Sequence, residues 1–510
     1  MFSFTHVLAF LALLWVVALG CHRYYNRPFP PSPPGHWFFG HTFHIPAYKP
    51  WAKFIEWGRS TAGPLYILWV ARNPVIILND FQVADDLFNK QRAAFSTRPP
   101  RVMASLCGFD RGLTFLPPGR SFKKTRRYLH EALNVRAIQA CESMQMTEAQ
   151  TYALRLLESS ENVQDESRML YSAMLISFSL GYRPPNLSDS IIAHSDRVAK
   201  DAALILTTGK FWVEFFPFVR HLPVAFLGSQ VARCVRDFKA DLEELITESS
   251  RITQAALDHP EIPASFCSKI LREVKSQDYV ETKELVDYAS LSMYAGAVDT
   301  TIASVDTFLV AMMLNPDIQL KAQKELDNVL GSGRLPIHAD RTSLPYVEAI
   351  LTEVLRWNPP VPLTSRKLAS DVDYSDYILP GGASVVANIW AMNHDPELFS
   401  DPQEFQPERF IGPTGREAIR LVHQATFGFG IRVCPGQHFA TSSLWIVIAT
   451  LLVTFTISTV PGEHNEPGLD CEEGALIRVL PYKCTLKPRS QAIVDALKRC
   501  SESSAAAQSK

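Results

Sequence analysis

The sequence predicts a mainly α fold with small β-sheets, an α+β class, built as one large domain behind an N-terminal transmembrane helix. Three observations carry this reading. Long amphipathic stretches lie near residues 140–180, 228–258, 282–315 and 317–330, while the β-rich runs are short. Between residues 36 and 500 no Ser/Gly-rich or charge-block segment is long enough to separate domains, so one unit is favoured although 510 residues could fill about three domains of ordinary size. The first twenty-one residues carry no Asp, Glu, Lys or Arg and could span the ~30 Å hydrocarbon of a bilayer as a helix.

Residues 1–21 are therefore read as a membrane anchor, 22–35 as a proline-rich spacer, 36–500 as the folded body and 501–510 as a flexible tail. A cleaved signal peptide is the rival for the first segment, because Ala18 and Gly20 resemble a small-residue cleavage site, but no basic stretch precedes the apolar run. Arg23 and Arg27 follow it, and the positive-inside rule places the body on the cytosolic side. Asn186-Leu187-Ser188, a formal glycosylation sequon, is then never glycosylated. The run from Pro28 to Gly35 (PFPPSPPG) cannot continue a helix and is expected as a stiff segment holding the body off the membrane.

Leu65 to Val70 and Pro74 to Asn79 read as a hairpin across Ala-Arg-Asn, Val372 to Asn388 as a strand region around Pro380-Gly381-Gly382, and Ala475 to Leu486 as another pair. With 47% hydrophobic residues, 20% charged and a formal charge of −2, the chain is globular and has no electrostatic footprint for nucleic acid. Nine cysteines are scattered without a CxxC or a Cys/His cluster, which argues against a zinc site or a disulfide framework and suits a reducing compartment.

One cysteine stands apart. Phe427-Gly-Phe-Gly-Ile-Arg-Val-Cys-Pro-Gly436 sets three glycines, an arginine and two aromatics around Cys434. Glycines let the backbone turn tightly and approach a flat ligand, and amides directed at a sulfur stabilise its thiolate and tune an iron it ligates. A dinucleotide loop fails here because the third glycine of GxGxxG is Val433, and Gly331-Ser-Gly333 fails in the same way at Pro336. Upstream, Glu353-Val-Leu-Arg356 puts opposite charges one turn apart on a helix ended by Pro359-Pro360; alone, this is a common surface pair. The helix from about Thr282 to Leu314 carries Ala295-Gly-Ala-Val-Asp-Thr-Thr301 in an apolar stretch, where an unpaired acid would be costly.

The pattern FxxGxRxCxG, filled by Phe427, Gly430, Arg432, Cys434 and Gly436, matches the haem-binding signature of cytochromes P450, and the chain resembles the fungal membrane-bound members of that family. Glu353 and Arg356 resemble its ExxR element. Arg409, in Pro407-Glu-Arg-Phe410, resembles its PERF segment. The resemblance implies that the three form a buried structural network behind the haem. Asp299 and Thr300 take the acid and alcohol places of the family's oxygen-binding segment, with Ala297 where glycine is usual. Phe122 and Arg126 resemble its WxxxR element with phenylalanine for tryptophan, and Lys123, Lys124 and Arg127 are either a docking face for an acidic electron donor or a solvated helix face.

What the resemblance implies is a single large haem domain of cytochrome P450 fold. Cys434 ligates the iron of haem b, Arg432, Arg126 and Arg366 meet its propionates, and Asp299 and Thr300 deliver protons on the distal side. One atom of O2 enters a small apolar substrate, and the other leaves as water. Electrons come from NADPH indirectly, through NADPH-cytochrome P450 reductase, with cytochrome b5 as a further partner. The protein is expected as a monomer in the endoplasmic reticulum membrane, single-pass, with its catalytic domain facing the cytosol.

A terpenoid or polyketide-type natural product is the favoured substrate class; the alternatives are a sterol or fatty-acid hydroxylase of primary metabolism, a haem-thiolate isomerase or dehydratase, and a haem sensor or carrier. Arg98 to Phe115 and Leu204 to Leu222 are expected to shape the pocket. In the second stretch, Phe211, Trp212, Phe215, Phe216 and Phe218 could serve the core, the pocket or a membrane contact.

Overall fold

The structure, a computed structural model, describes Trp15 and residues 28–60, 63–159, 162–206, 210–259, 261–331, 333–460 and 476–508. The expected anchor, Trp15 apart, lies outside the described residues. The strands are β1 (Leu65–Val70), β2 (Asn73–Leu78), β3 (Leu363–Lys367), β4 (Val372–Tyr374), β5 (Tyr377–Leu379), β6 (Ser384–Asn388), β7 (Phe455–Ser458) and β8 (Thr485–Pro488). The helices that position the site are α1 (Arg120–Leu133), α2 (Glu142–Glu158), α3 (Val163–Leu180), α4 (Ser229–Asp258), α5 (Tyr279–Leu314), α6 (Pro316–Leu330), α7 (Pro345–Trp357), α8 (Gly415–Phe427), α9 (Gln437–Thr454) and α10 (Gln491–Gln508).

The helical stretch near 140–180 divides into α2 and α3, and α5 starts at Tyr279, three residues earlier than its apolar pattern suggests. Asn315-Pro316 ends α5 and opens α6, because proline cannot donate inside a helix but fits its first turn. Its C-terminal half, Thr301 to Met313, is buried without interruption, and so is α9 from Thr441 to Thr454. Both are long and apolar enough to cross a membrane, yet most of each is covered by the rest of the protein. They are core helices, and α5 packs chiefly against α3.

Strands β1 and β2 form the expected hairpin, closed by Ala71-Arg72, both with positive φ (46° and 67°), so the turn is shorter than Ala-Arg-Asn and Asn73 belongs to β2. The main sheet runs β1-β2-β6-β3, with β2 and β6 parallel and the outer pairs antiparallel. Pro380-Gly381-Gly382 is a connection between sheets: β4 pairs with β5 across Ser375-Asp376, whereas β6 joins β2 and β3. The strand pair expected within 475–486 is corrected too. Thr485–Pro488 pairs with Phe455–Ser458, which continues directly from α9.

Two boundary expectations change. The proline run does not stand off as a spacer: Ile378 N–H donates to Pro28 O and Ile67 N–H to Pro31 O, both at 2.9 Å, and the Phe29 ring packs edge-on to Trp69. Extended backbone with free carbonyls is well suited to such edge pairing. The tail from Ser501 continues α10 to Gln508.

Candidate active site

The cysteine loop begins where α8 ends at Phe427. Gly428 and Gly430 take positive φ (83° and 61°), and a Cβ on Gly430 would sit 2.2 Å from the Phe88 carbonyl, so this position admits only glycine. The Gly430 N–H donates to Asn89 Oδ1. Cys434 N–H donates to Phe427 O at 2.8 Å, closing the loop and leaving the sulfur just ahead of the N-terminus of α9. Burial raises the thiol's pKa, opposed first by the Gly436 N–H and then by the Arg126 charge. These opposing groups favour the thiolate, the form that binds metal.

Cys434 faces a cavity of about 310 Å³. Across it, α5 presents Gly296, Ala297, Thr300, Thr301 and Ser304. Its charged lining consists of four arginines, Arg98, Arg126, Arg366 and Arg432, and among the described residues no carboxylate lines it. Arg366 is buried, and its basicity is driven well below the ordinary value by burial, then by Arg98 and Arg432; burial likewise lowers Arg98 and Arg432 to about 10. Arg98 Nε is buried with no partner. A flat group carrying two carboxylates and held by sulfur would supply the missing charge, so haem fits this chemistry.

The rim arginines are held from behind. Arg432 spends three donors on the carbonyls of Ser96, Leu113 and Leu116 at 2.7–3.0 Å, and its guanidinium lies 4.1 Å from the Phe122 ring centre. Phenylalanine at 122 therefore seats the signature arginine by a cation–π contact. Arg126 donates to Val433 O at 2.7 Å, within the cysteine loop. Arg366 and Arg98 each donate to Thr364 Oγ1 and Ser365 O. Lys124 is committed to Glu281 and Thr282, and Arg127 lies 3.6 Å from Glu131, so two of the three expected docking cations already have partners.

Asp299 and Thr300 separate. Thr300 lines the cavity, its hydroxyl donating to Gly296 O at 2.9 Å, whereas Asp299 does not reach it. One position further along the helix is a rotation of about 100°, and this carries the carboxylate to Arg168 at 3.1 Å and Arg478 at 2.5 Å. The relay expected from adjacent residues is thus not assembled in this arrangement. Thr301, its hydroxyl 2.6 Å from Ala297 O, shares the wall with Thr300.

Glu353, Arg356 and Arg409 do come together. Arg356 donates to Glu353 at 2.6 and 2.8 Å and to the carbonyls of Asn393, Pro402 and Glu404, using all five guanidinium N–H groups. Arg409 reaches Glu353 at 3.3 Å, and Gln406 N–H donates to the same carboxylate at 2.7 Å. Both Glu353 and Arg356 are 0% exposed.

Arg98, with Leu113 and Thr114, comes from the stretch expected to shape the pocket, whereas Thr301, outside the fixed motif positions, is a wall residue that sequence reasoning missed. In the 204–222 stretch, Phe211 is buried in the core while Trp212, Phe216 and Phe218 are exposed, and none of them lines the cavity.

A helical domain with a thiol at a helix N-terminus, facing a cation-rimmed cavity, defines a haem-thiolate class of protein. The family model described as Cytochrome P450 matches residues 30–486. Among curated relatives, Cytochrome P450 monooxygenase 208 of Postia placenta is 34% identical over 94% of this chain and 94% of its own length. Cytochrome P450 monooxygenase claT of Ampulloclitocybe clavipes is 33% identical over 94% and 96%, and COX1 of Coprinopsis cinerea is 30% identical over 91% and 92%. A zebrafish cytochrome P450 solved with progesterone shares the fold, with a TM-score of 0.71 at 21% identity over 86% of this chain and 99% of that one.

The chain belongs to the cytochrome P450 family and is a cytochrome P450 monooxygenase, an enzyme class that uses haem, O2 and reductase-supplied electrons from NADPH.

Proposed function

We propose that the protein hydroxylates, or oxidises further, a small apolar natural product of terpenoid or polyketide type, in secondary metabolism, with electrons passed from NADPH by a membrane-bound reductase. The observation that carries this reading is the cavity wall. Apart from the arginine rim and eight hydroxyl side chains it is apolar, with Leu129, Leu133, Leu175, Phe178, Met293 and Val361 among its residues. Such a wall rewards desolvation of hydrocarbon and offers a charged substrate no counter-ion beyond the cations assigned to haem. The fungal source of the relatives adds support.

Haem, when bound, supplies the oxygen-activating chemistry. Cys434 Sγ would hold it, while Arg98, Arg126, Arg366 and Arg432 would orient its carboxylates. On the opposite wall, Thr300 Oγ1 is the group placed to hold a proton donor beside the reacting centre. Asp299 serves as the reserve acid on the face of α5 turned away from the cavity, paired with Arg168 and with Arg478, whose partial exposure gives it access to solvent. Residues 1–21 anchor the enzyme as a monomer in the endoplasmic reticulum membrane with the body in the cytosol, and cytochrome b5 is an auxiliary donor. The charge-free apolar run followed by Arg23 and Arg27 supports that placement.

Co-expression with a reductase, followed by product analysis on a terpenoid and polyketide panel, tests the proposal. Oxygenated products from at least one class are expected. Turnover confined to sterols or fatty acids would move the enzyme to primary metabolism.

A further inference from the structure

We propose that Glu214 is the latch of the cavity's entrance: it holds the segment 98–116 closed over the cavity, and substrate enters when its carboxylate lets go. Arg98, Leu113 and Thr114 put both ends of this segment on the cavity wall. Both ends are tied down. Arg98 donates to Ser365 O at 2.8 Å and Thr364 Oγ1 at 3.2 Å, while Leu113 N–H donates to Ser292 Oγ on α5 at 3.0 Å. The carbonyls of Leu113 and Leu116 accept from Arg432 at 3.0 and 2.7 Å.

The middle is held in another way. It is a five-residue helix, Val102–Leu106, and Arg101 at its start supplies no side-chain cap. A helix start leaves its first N–H groups without partners inside the helix, and a distant segment caps them here. Val102 N–H donates to Glu214 Oε2 at 3.2 Å and Met103 N–H to Glu214 Oε1 at 2.8 Å, so each carboxylate oxygen carries one bond. Glu214 sits in the turn Trp212–Phe215, where Phe211 and Val213 share an apolar cluster with Val102, Met103 and Ala104. Apolar packing is non-directional, so the two charge-assisted bonds are what fixes the helix in place. The 204–222 stretch thus governs the cavity without lining it.

The surroundings permit release. Gly108, just beyond the helix, has φ +77°, and a Cβ there would meet nothing within 4 Å, so the chain can swing at this point without collision. Glu214 is half-buried beside the exposed Trp212, and water can replace the two N–H groups as its partners. Lifting the middle while both ends stay tied opens a gap between 102–106 and 211–215. It leaves Arg98 and Arg432 in their places on the cavity rim.

The test uses the full haem-loaded chain and its Glu214→Ala variant. Clotrimazole serves as a bulky ligand that reaches the iron through the cavity, and carbon monoxide as one small enough to need no opening. Stopped-flow absorbance follows the first on ferric protein, and flash photolysis the second on reduced protein. Glu214→Ala is expected to speed clotrimazole binding and release alike, each by roughly tenfold, with affinity held within about twofold and carbon monoxide rebinding unchanged. Unchanged clotrimazole rates would overturn the latch. So would weaker affinity at an unchanged association rate, which makes Glu214 a pocket-shaping residue, or a parallel rise for carbon monoxide, which means general loosening. Hydrogen exchange on the wild-type chain decides the matter even if the variant does not fold: the amides of 102–107 should exchange well before those of 113–116. Exchange of the ends together with the middle, or ahead of it, would show the segment loosening as a whole and would also overturn the latch.

Discussion

Two groups of arginine in this domain obey opposite rules. Arg356 finds an acceptor for each of its five N–H groups, two of them on Glu353, and the pair is closed off from solvent. Arg98, Arg126, Arg366 and Arg432 face a cavity with carbonyls and hydroxyls behind them and, among the described residues, no carboxylate in front. The first group is a finished joint between α7 and the segment 400–409. The second reads as half of a site, and its unbalanced charge is what a dianionic cofactor would complete. Electrostatic incompleteness separates the functional cluster from the structural one.

Several measurements can break or sharpen that contrast. Glu353→Ala leaves Arg356 as a buried cation without counter-charge, and a loss of about 3–5 kcal/mol is expected, read as failure to recover folded holoprotein. Wild-type yield and thermal stability would remove the distinction. Arg366→Leu should act in the opposite sense on the apoprotein, leaving its denaturant midpoint unchanged or higher because a repelling cation is gone, while haem release becomes roughly tenfold faster. Parallel loss of apoprotein stability would place Arg366 in the structural class.

Thr300→Ala should retain haem but divert electrons to hydrogen peroxide, lowering product per NADPH by roughly tenfold or more. Unchanged coupling would show that the wall hydroxyl carries no proton. The smallest effect concerns Asp306, which accepts from Tyr482 at 2.9 Å and whose pKa burial raises from 3.8 to about 6. Between those values the folded protein keeps a proton that the unfolded chain has released. Its stabilising contribution is therefore full below about pH 4 and is lost as pH rises through about 6. Asp306→Asn should flatten this slope by ~2 kcal/mol in denaturation curves between pH 4 and 7. An unaltered slope would contradict the shift.

What the sequence revealed divides along physical lines. Local chemistry was legible: Gly430 and Cys434 share a short motif because the loop that holds the sulfur is local, and the β1–β2 hairpin follows from two adjacent β-rich runs. Nonlocal pairing was not. The parallel β2–β6 contact joins Val75 to Ser384, and β7 pairs with β8 across about 30 residues, neither of which leaves a local pattern. Side-chain direction was the other gap. Asp299 and Thr300 are neighbours in sequence, but helix geometry turns one to Arg168 and Arg478 and the other to the cavity. The proline run was read as a spacer because proline excludes helix; it binds the sheet because its carbonyls remain available as acceptors.

The central claim is that Cys434 binds the iron while the arginine rim binds the carboxylates. Cys434→Ala separates these roles, because it removes the sulfur and leaves all four arginines. The reduced carbon monoxide spectrum of this variant is the most direct measurement. Loss of the thiolate-type band with haem still retained is the predicted result. A thiolate-type band that persists in Cys434→Ala would contradict the account.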